Sequence, residues 1–61
     1  MKVSEMIKKL KKIGCYKTKD GARHDEWYSP VTGRKFRVPR HPAKELATGT
    51  ADRIGKDAGL K

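Results

Sequence analysis

One histidine is the clearest candidate for acid–base chemistry in this chain. His24 lies in the segment 21–27, whose sequence is GARHDEW. An isolated imidazole has a pKa of about 6.5, so it can accept or donate a proton near neutral pH. On the residue alone, an exposed histidine that only contacts a ligand is the more ordinary interpretation, so the surroundings of His24 have to decide its role.

The charge of the chain indicates the class of ligand. Sixteen Lys and Arg against seven Asp and Glu leave a formal net charge of +9 on 61 residues. This density favours a phosphate backbone over a neutral or cationic ligand. A chain this short forms a single domain, residues 1–61, without a deep pocket. A polymeric ligand does not need a deep pocket, because phosphates spread over the protein surface supply its binding energy. Binding and cutting a nucleic acid both remain open.

The residue types and their spacing do not support a metal site. Cys15, His24 and His41 lack the paired spacing of a zinc site, and the seven carboxylates form no cluster for paired metals. We therefore expect no metal and no cofactor. The single cysteine cannot form an internal disulfide, which suggests a reducing compartment. Lysines interrupt the first apolar residues, so neither a signal peptide nor a membrane span is predicted. We expect a soluble, cytoplasmic protein.

Two helices are predicted at the ends of the chain. The first covers about residues 4–13, with Ser4 as N-cap and Gly14 as the stop, because apolar residues recur at helical spacing. The second begins with Thr50 as N-cap and Asp52 in the first turn, and it ends before Gly59. Leu46 and Leu60, on either side of this helix, are expected to flank the core.

Three strands are predicted between the helices. They cover residues 15–18, 24–28 and 35–38, and the last two form a hairpin around Pro30 and Gly33. Strand alternation places Trp27 in the core with Phe36 and Val38. The opposite face then carries an imidazole, an aromatic ring and two cations, which belong to His24, Tyr28, Lys35 and Arg37.

The resulting fold class is α+β. We expect a two-layer sandwich in the order α-β-β-β-α, with a three-stranded antiparallel sheet and both helices on one face. This is the outline of a double-stranded-RNA-binding domain, although the outline alone does not establish a function.

Several short motifs together resemble one known family. They are His24 with Trp27 three residues later, and then the segments VPRH (38–41), KEL (44–46), GT (49–50) and AGL (58–60), in that order. With the amphipathic N-terminal segment and Gly14, they run across nearly the whole chain. The sequence is similar in these respects to the HicA toxins.

The resemblance implies an mRNA endoribonuclease of a toxin–antitoxin pair, neutralised by a HicB-like antitoxin. It implies that His24 is catalytic and acts without metal, taking the 2′-hydroxyl proton or protonating the leaving oxygen. Acidic antitoxin residues are expected to match Lys35, Arg37 and Arg40. The expected RNA contacts are Arg23, Tyr28, Lys35, Arg37, Arg40, His41 and Lys44.

Two non-enzymatic alternatives remain. The first is an RNA-binding module that uses the basic sheet face without cutting. The second is a DNA-binding regulator, which is disfavoured because the last helix offers only Arg53 and Lys56 as long side chains and lacks a partner helix for a helix-turn-helix. We therefore expect contact with DNA only indirectly, through a complex with the antitoxin.

Overall fold

The five elements follow the predicted order. A computed structural model describes residues 1–60, with α1 (Val3–Lys12), β1 (Tyr16–Lys19), β2 (His24–Ser29), β3 (Arg34–Pro39) and α2 (Thr48–Ala58). The strands form one antiparallel sheet in the order β1-β2-β3. The α+β class and the outline of a double-stranded-RNA-binding domain are therefore confirmed.

The register between β2 and β3 sorts their side chains onto two faces. Trp27 lies opposite Phe36, and Tyr28 lies opposite Lys35. Because successive strand residues point to opposite faces, Trp27 and Phe36 share one face while Tyr28 and Lys35 share the other. The aromatic pair is buried and Lys35 is exposed, as alternation predicts.

Both helices contribute to one core on the Trp27 face of the sheet. Leu46 is buried and Leu60 is packed against the core, as expected. The ten buried hydrophobic residues of this core are Val3, Met6, Leu10, Cys15, Trp27, Phe36, Val38, Leu46, Ile54 and Ala58. The sheet thus has one covered face and one face that neither helix covers.

The predicted N-cap of the first helix is wrong. Helix α1 begins at Val3 with Lys2 as N-cap, and no side chain caps it. The free amides of Val3 and Ser4 instead donate to the backbone carbonyl oxygens of Lys44 and Pro42, at 2.9 and 3.0 Å. Backbone carbonyl groups of the connector between β3 and α2 therefore cap α1. These contacts join distant parts of the chain, so a local sequence pattern cannot predict them.

The predicted start of the second helix is also wrong. Helix α2 begins at Thr48 with Ala47 as N-cap, so Thr50 lies inside the helix and no acidic residue occupies the first turn. The preceding Leu46 is buried, and its amide donates to the Met1 carbonyl oxygen at 2.8 Å. Docking of Leu46 thus fixes the chain immediately before the helix, and this tertiary contact overrides the local capping preference of Thr50.

A buried serine joins the hairpin to the end of α2. Ser29 is fully buried, and its hydroxyl donates to the carbonyl oxygen of Ala58 at 2.6 Å. Oγ of Ser29 also accepts hydrogen bonds from the amides of Val31 and Thr32, at 3.2 and 3.4 Å. Ala58 is followed by Gly59, which ends the helix in the left-handed conformation (φ 88°). One side chain therefore satisfies three backbone groups from two elements.

We expect Ser29→Ala to lower the free energy of unfolding by about 1–3 kcal/mol, because three backbone groups lose a buried partner. Ser4→Ala is the matched control, and its effect should stay within about 0.5 kcal/mol because Ser4 does not cap α1. Urea denaturation monitored by the fluorescence of Trp27 measures both values. Equal effects of the two substitutions would contradict the assigned role of Ser29.

Candidate nucleic-acid interface

The face of the sheet away from the helices carries most of the predicted site. We call it the open face, and its residues are Tyr16 of β1, His24, Glu26 and Tyr28 of β2, and Lys35 and Arg37 of β3. All of them are exposed or half-buried. Alternation correctly predicted that His24, Tyr28, Lys35 and Arg37 share this face.

His24 occupies one end of the open face, where two depressions meet. It is the first residue of β2 and lies opposite Pro39. A depression of about 440 Å³ places His24 beside the 19–23 turn, Glu26 and Arg37. A second depression of about 600 Å³ lies between β3 and α2 and is also lined by His24 and Arg37. The imidazole and the Arg37 guanidinium therefore border the same space on both sides.

The turn before His24 is closely packed against it. A side chain at Gly21 would collide with the carbonyl oxygen of His24, so only glycine fits this backbone path. The Gly21 amide donates to Oδ1 of Asp25 at 3.3 Å, and its carbonyl oxygen accepts Nη1 of Arg40 at 2.7 Å. The Arg40 amide also donates to the carbonyl oxygen of Arg23 at 3.2 Å. These contacts fix the chain on both sides of Arg23.

Asp25 connects this turn to the covered side of the sheet. Its side chain is 14% exposed, and its Oδ1 lies 3.5 Å from Nε of Arg40. Its Oδ2 lies 4.0 Å from Nζ of Lys17. The Arg40 guanidinium, which the sequence suggested as an RNA contact, is thus held by Asp25 and the Gly21 carbonyl oxygen. Its main contact in the free protein is internal, and it positions the turn.

An exposed ion pair marks the start of the same turn. Nζ of Lys17 lies 2.8 Å from Oδ1 of Asp20, and this hydrogen bond raises the pKa of Lys17 and lowers the pKa of Asp20. A lowered carboxyl pKa stabilises the fold above the ordinary pKa of aspartate, and the contribution disappears as the pH falls through the lowered value. Because water surrounds both groups, this contribution is small.

Among the open-face residues named above, Glu26 is the one that carries a carboxylate. It lies opposite Arg37 on one side and Lys19 on the other. The hydroxyl of Thr18 donates to its Oε2 at 3.0 Å and to its carbonyl oxygen at 3.2 Å. A negative charge therefore sits between His24 and Tyr28, flanked by cations of the neighbouring strands.

The remaining predicted contacts fall into two groups. Arg23 lies in the turn and lines the smaller depression with His24. His41 and Lys44 are exposed in the connector after β3, whose backbone caps α1, and they line neither depression that His24 borders. The structure therefore brings Arg23 and Arg37 to His24, but does not bring His41 or Lys44 into the same depressions.

Three residues near the site were not predicted as RNA contacts. Arg53 and Thr50 of α2 line the larger depression, and Tyr16 lies opposite Tyr28 on the open face. The crossing of α2 over β3 places the first two beside His24, and no sequence pattern specifies that crossing. Tyr16 could have been predicted as a contact from the sequence, because it is an aromatic residue in a short predicted strand.

Residues 1–60 contain neither a metal-binding cluster nor a membrane-spanning helix. In this range no group of three or more His, Cys, Asp and Glu side chains is placed to hold a metal ion. Within the same residues, neither helix has the length and apolar character needed to span a bilayer.

We expect Arg40→Ala to lower the free energy of unfolding by about 1–2 kcal/mol, because the half-buried carboxylate of Asp25 and the Gly21 carbonyl oxygen lose a charged partner. Arg37→Ala removes the same side chain from the exposed sheet face, and it should change stability by less than about 0.5 kcal/mol. Thermal and urea unfolding of the two variants gives the comparison. A loss confined to Arg37→Ala would contradict the internal role of Arg40.

The chain matches one described protein family along nearly its whole length. Residues 3–60 match the model of the family described as HicA toxin of bacterial toxin-antitoxin. The match begins at the first residue of α1 and ends two residues beyond α2, so it includes every helix and strand. No curated protein and no solved structure matches the chain.

Proposed function

The chain belongs to the HicA toxin family of bacterial toxin–antitoxin systems, and from this premise we propose that it is an mRNA endoribonuclease with His24 as its catalytic residue. The observation that carries the proposal is the position of His24. It is exposed at the end of a basic face and borders two depressions together with Arg37. This arrangement suits an acid–base group acting on a bound polyanion.

The reaction uses the 2′-hydroxyl of the RNA as its nucleophile. His24 accepts the proton of this hydroxyl as the 2′-oxygen attacks phosphorus, or donates a proton to the 5′-oxygen as the P–O5′ bond breaks. The products are a 2′,3′-cyclic phosphate and a 5′-hydroxyl end. Arg37 and Arg23 border the same space, where their charges stabilise the negative charge that develops on the phosphorane oxygens.

The presence of a single imidazole limits the rate of this reaction. It cannot remove one proton and deliver another at the same instant, so cleavage by His24 alone is slow. A toxin that destroys messages needs few turnovers. Lys35 contributes through phosphate binding, because it lies farther along the open face from His24 than Arg37 does.

The toxin's partner is an antitoxin of the HicB type. It restrains the toxin by covering the open face, where acidic side chains meet Lys35 and Arg37. Arg40 contributes less to this contact than the sequence suggested, since Asp25 already neutralises it. The toxin reaches DNA only as part of the complex with the antitoxin.

A non-catalytic RNA-binding module is the second candidate. The same open face supports it, because cations and tyrosines on a sheet bind RNA without any acid–base group. The two functions differ in one observable, the cleavage of RNA by the purified protein.

We expect His24→Ala to reduce RNA cleavage by about 100-fold or more, the usual contribution of a general acid–base group. His41→Ala is the matched control, and it should keep cleavage within a few-fold of the parent because His41 lies in the connector. Cleavage of a 5′-labelled mRNA fragment, followed on a sequencing gel, measures both. RNA affinity and the unfolding midpoint of His24→Ala should remain close to those of the parent.

Three outcomes of this experiment are informative. Unchanged cleavage by His24→Ala would exclude His24 as the catalytic residue. A loss that appears only in His41→Ala would move the site to the connector. RNA binding without cleavage by the parent protein would favour the non-catalytic module.

We expect binding of the antitoxin encoded beside the toxin gene to weaken as ionic strength rises, because salt screens the charges across the interface. Replacing Lys35 and Arg37 together by glutamine should flatten this salt dependence. The matched control replaces Lys8 and Lys9, which lie on α1 away from the open face. Titration calorimetry at several salt concentrations gives the slopes, and an affinity independent of salt would contradict this electrostatic account.

A further inference from the structure

Two tyrosines form a pair on the part of the open face farthest from His24. Tyr16 of β1 lies directly opposite Tyr28 of β2. Their ring centroids are 5.6 Å apart, and the ring planes are inclined by 52°. Tyr16 is 53% exposed, which makes it one of three large hydrophobic residues that are exposed within residues 1–60. An aromatic surface is thus presented to solvent in a chain where 38% of the residues are charged.

The tyrosine pair is part of an ordered row across the sheet. Lys35 of β3 lies opposite Tyr28 on the other side, so the row reads Tyr16, Tyr28, Lys35 from one edge strand to the other. The next row toward His24 contains Glu26 and Arg37. Aromatic rings and cations therefore lie next to each other on one surface, a composition found on surfaces that bind single-stranded nucleic acid.

We propose that Tyr16 and Tyr28 form a stacking site for an unpaired base, so that the substrate is single-stranded RNA that crosses the open face between the tyrosine pair and His24. An unpaired base can place its flat face on an exposed ring, whereas bases inside a duplex are stacked on one another and unavailable. Lys35 then contacts the phosphate next to the stacked base. The inference rests on the proposed function for the cut at His24, but the stacking site itself does not require cleavage.

The sheet fixes the distance between the stacked base and the reacting phosphate. Tyr28 and His24 are four residues apart on the same strand and face the same side. At about 3.3 Å per residue, this separation is about 13 Å. The base on the tyrosines therefore belongs to a different nucleotide from the one that is cut. Because every base has a flat face, this contact selects unpaired RNA with little preference for its sequence.

Glu26 places a carboxylate in the middle of the open face, directly opposite Arg37. Its carboxylate is held by Thr18 between the tyrosine row and His24. A phosphate is repelled from this point and attracted to Lys35 and Arg37 on the neighbouring strand. The path of the backbone thus follows β3, while the bases face β2 and β1.

The test measures RNA affinity in a His24→Ala background, so that the RNA is bound but not cut. Fluorescence anisotropy compares a labelled single-stranded RNA with the same strand in a duplex. Tyr16→Thr should weaken binding of the single strand by about five- to a hundredfold, the usual loss for one stacking contact. Duplex affinity should stay within about twofold, since the phosphate contacts remain.

Two control variants separate stacking from other effects. Tyr16→Phe keeps the ring and should retain the affinity of the background protein. Tyr16→Trp places an indole at the site, and its fluorescence should be quenched when the single-stranded RNA is added. If Tyr16→Thr fails to fold, the quenching of the Tyr16→Trp indole still tests the stacking site. Val31→Thr changes another exposed apolar residue, and it should leave both RNA affinities unchanged.

The possible results lead to different conclusions. Equal single-strand affinity of Tyr16→Thr and the background protein, or an unquenched indole in Tyr16→Trp, would overturn the stacking site. A preference for the duplex, or a loss of antitoxin binding in Tyr16→Thr with unchanged RNA binding, would overturn it as well. Cleavage by the parent protein is measured separately. Stacking without cleavage would reject the nuclease and keep the stacking site, and cleavage without stacking would do the reverse.

Discussion

The pairing register of β2 with β3 is the constraint on which the rest of the structure depends. Trp27 and Phe36 lie opposite each other and are buried, and each such side chain stabilises the fold by about 1.5–3 kcal/mol. A slip of one residue would exchange the two faces of a strand, exposing an aromatic ring and burying His24 or Arg37. The core therefore determines which side chains face solvent.

A smaller polar network fixes the end of the sheet at which His24 lies. Asp25 is on the covered side, and it holds the turn through the Gly21 amide and the Arg40 guanidinium. In a chain with a net charge of +9, each carboxylate that neutralises a cation reduces repulsion within the fold. Asp25 pairs with Arg40, whereas Arg23, Arg37 and Arg53 line the depressions that His24 borders. One arginine, Arg40, therefore stabilises the turn, while the other cations remain available to contact a ligand.

The sequence predicted the element order and the two faces because strand and helix periods are local properties. It failed at the helix starts, since the amides of α1 bind carbonyl groups of the connector and Leu46 fixes the start of α2. Both contacts join distant parts of the chain, so no capping pattern contains them. The internal contacts of Arg40 could not be predicted for the same reason, because its partners depend on how the turn folds back. Arg53 could not be placed beside His24 without the crossing angle of α2.

The hydrogen bond between Ser29 and Ala58 links the β2–β3 hairpin to α2, and it bears on the order in which these two parts form and separate. It joins residues 29 positions apart, whereas β2 and β3 are linked by a short turn. Because closing a longer loop costs more entropy, we expect the hairpin to form before α2 docks. Release of α2 alone would open the larger depression while leaving the tyrosine row and the His24 turn intact.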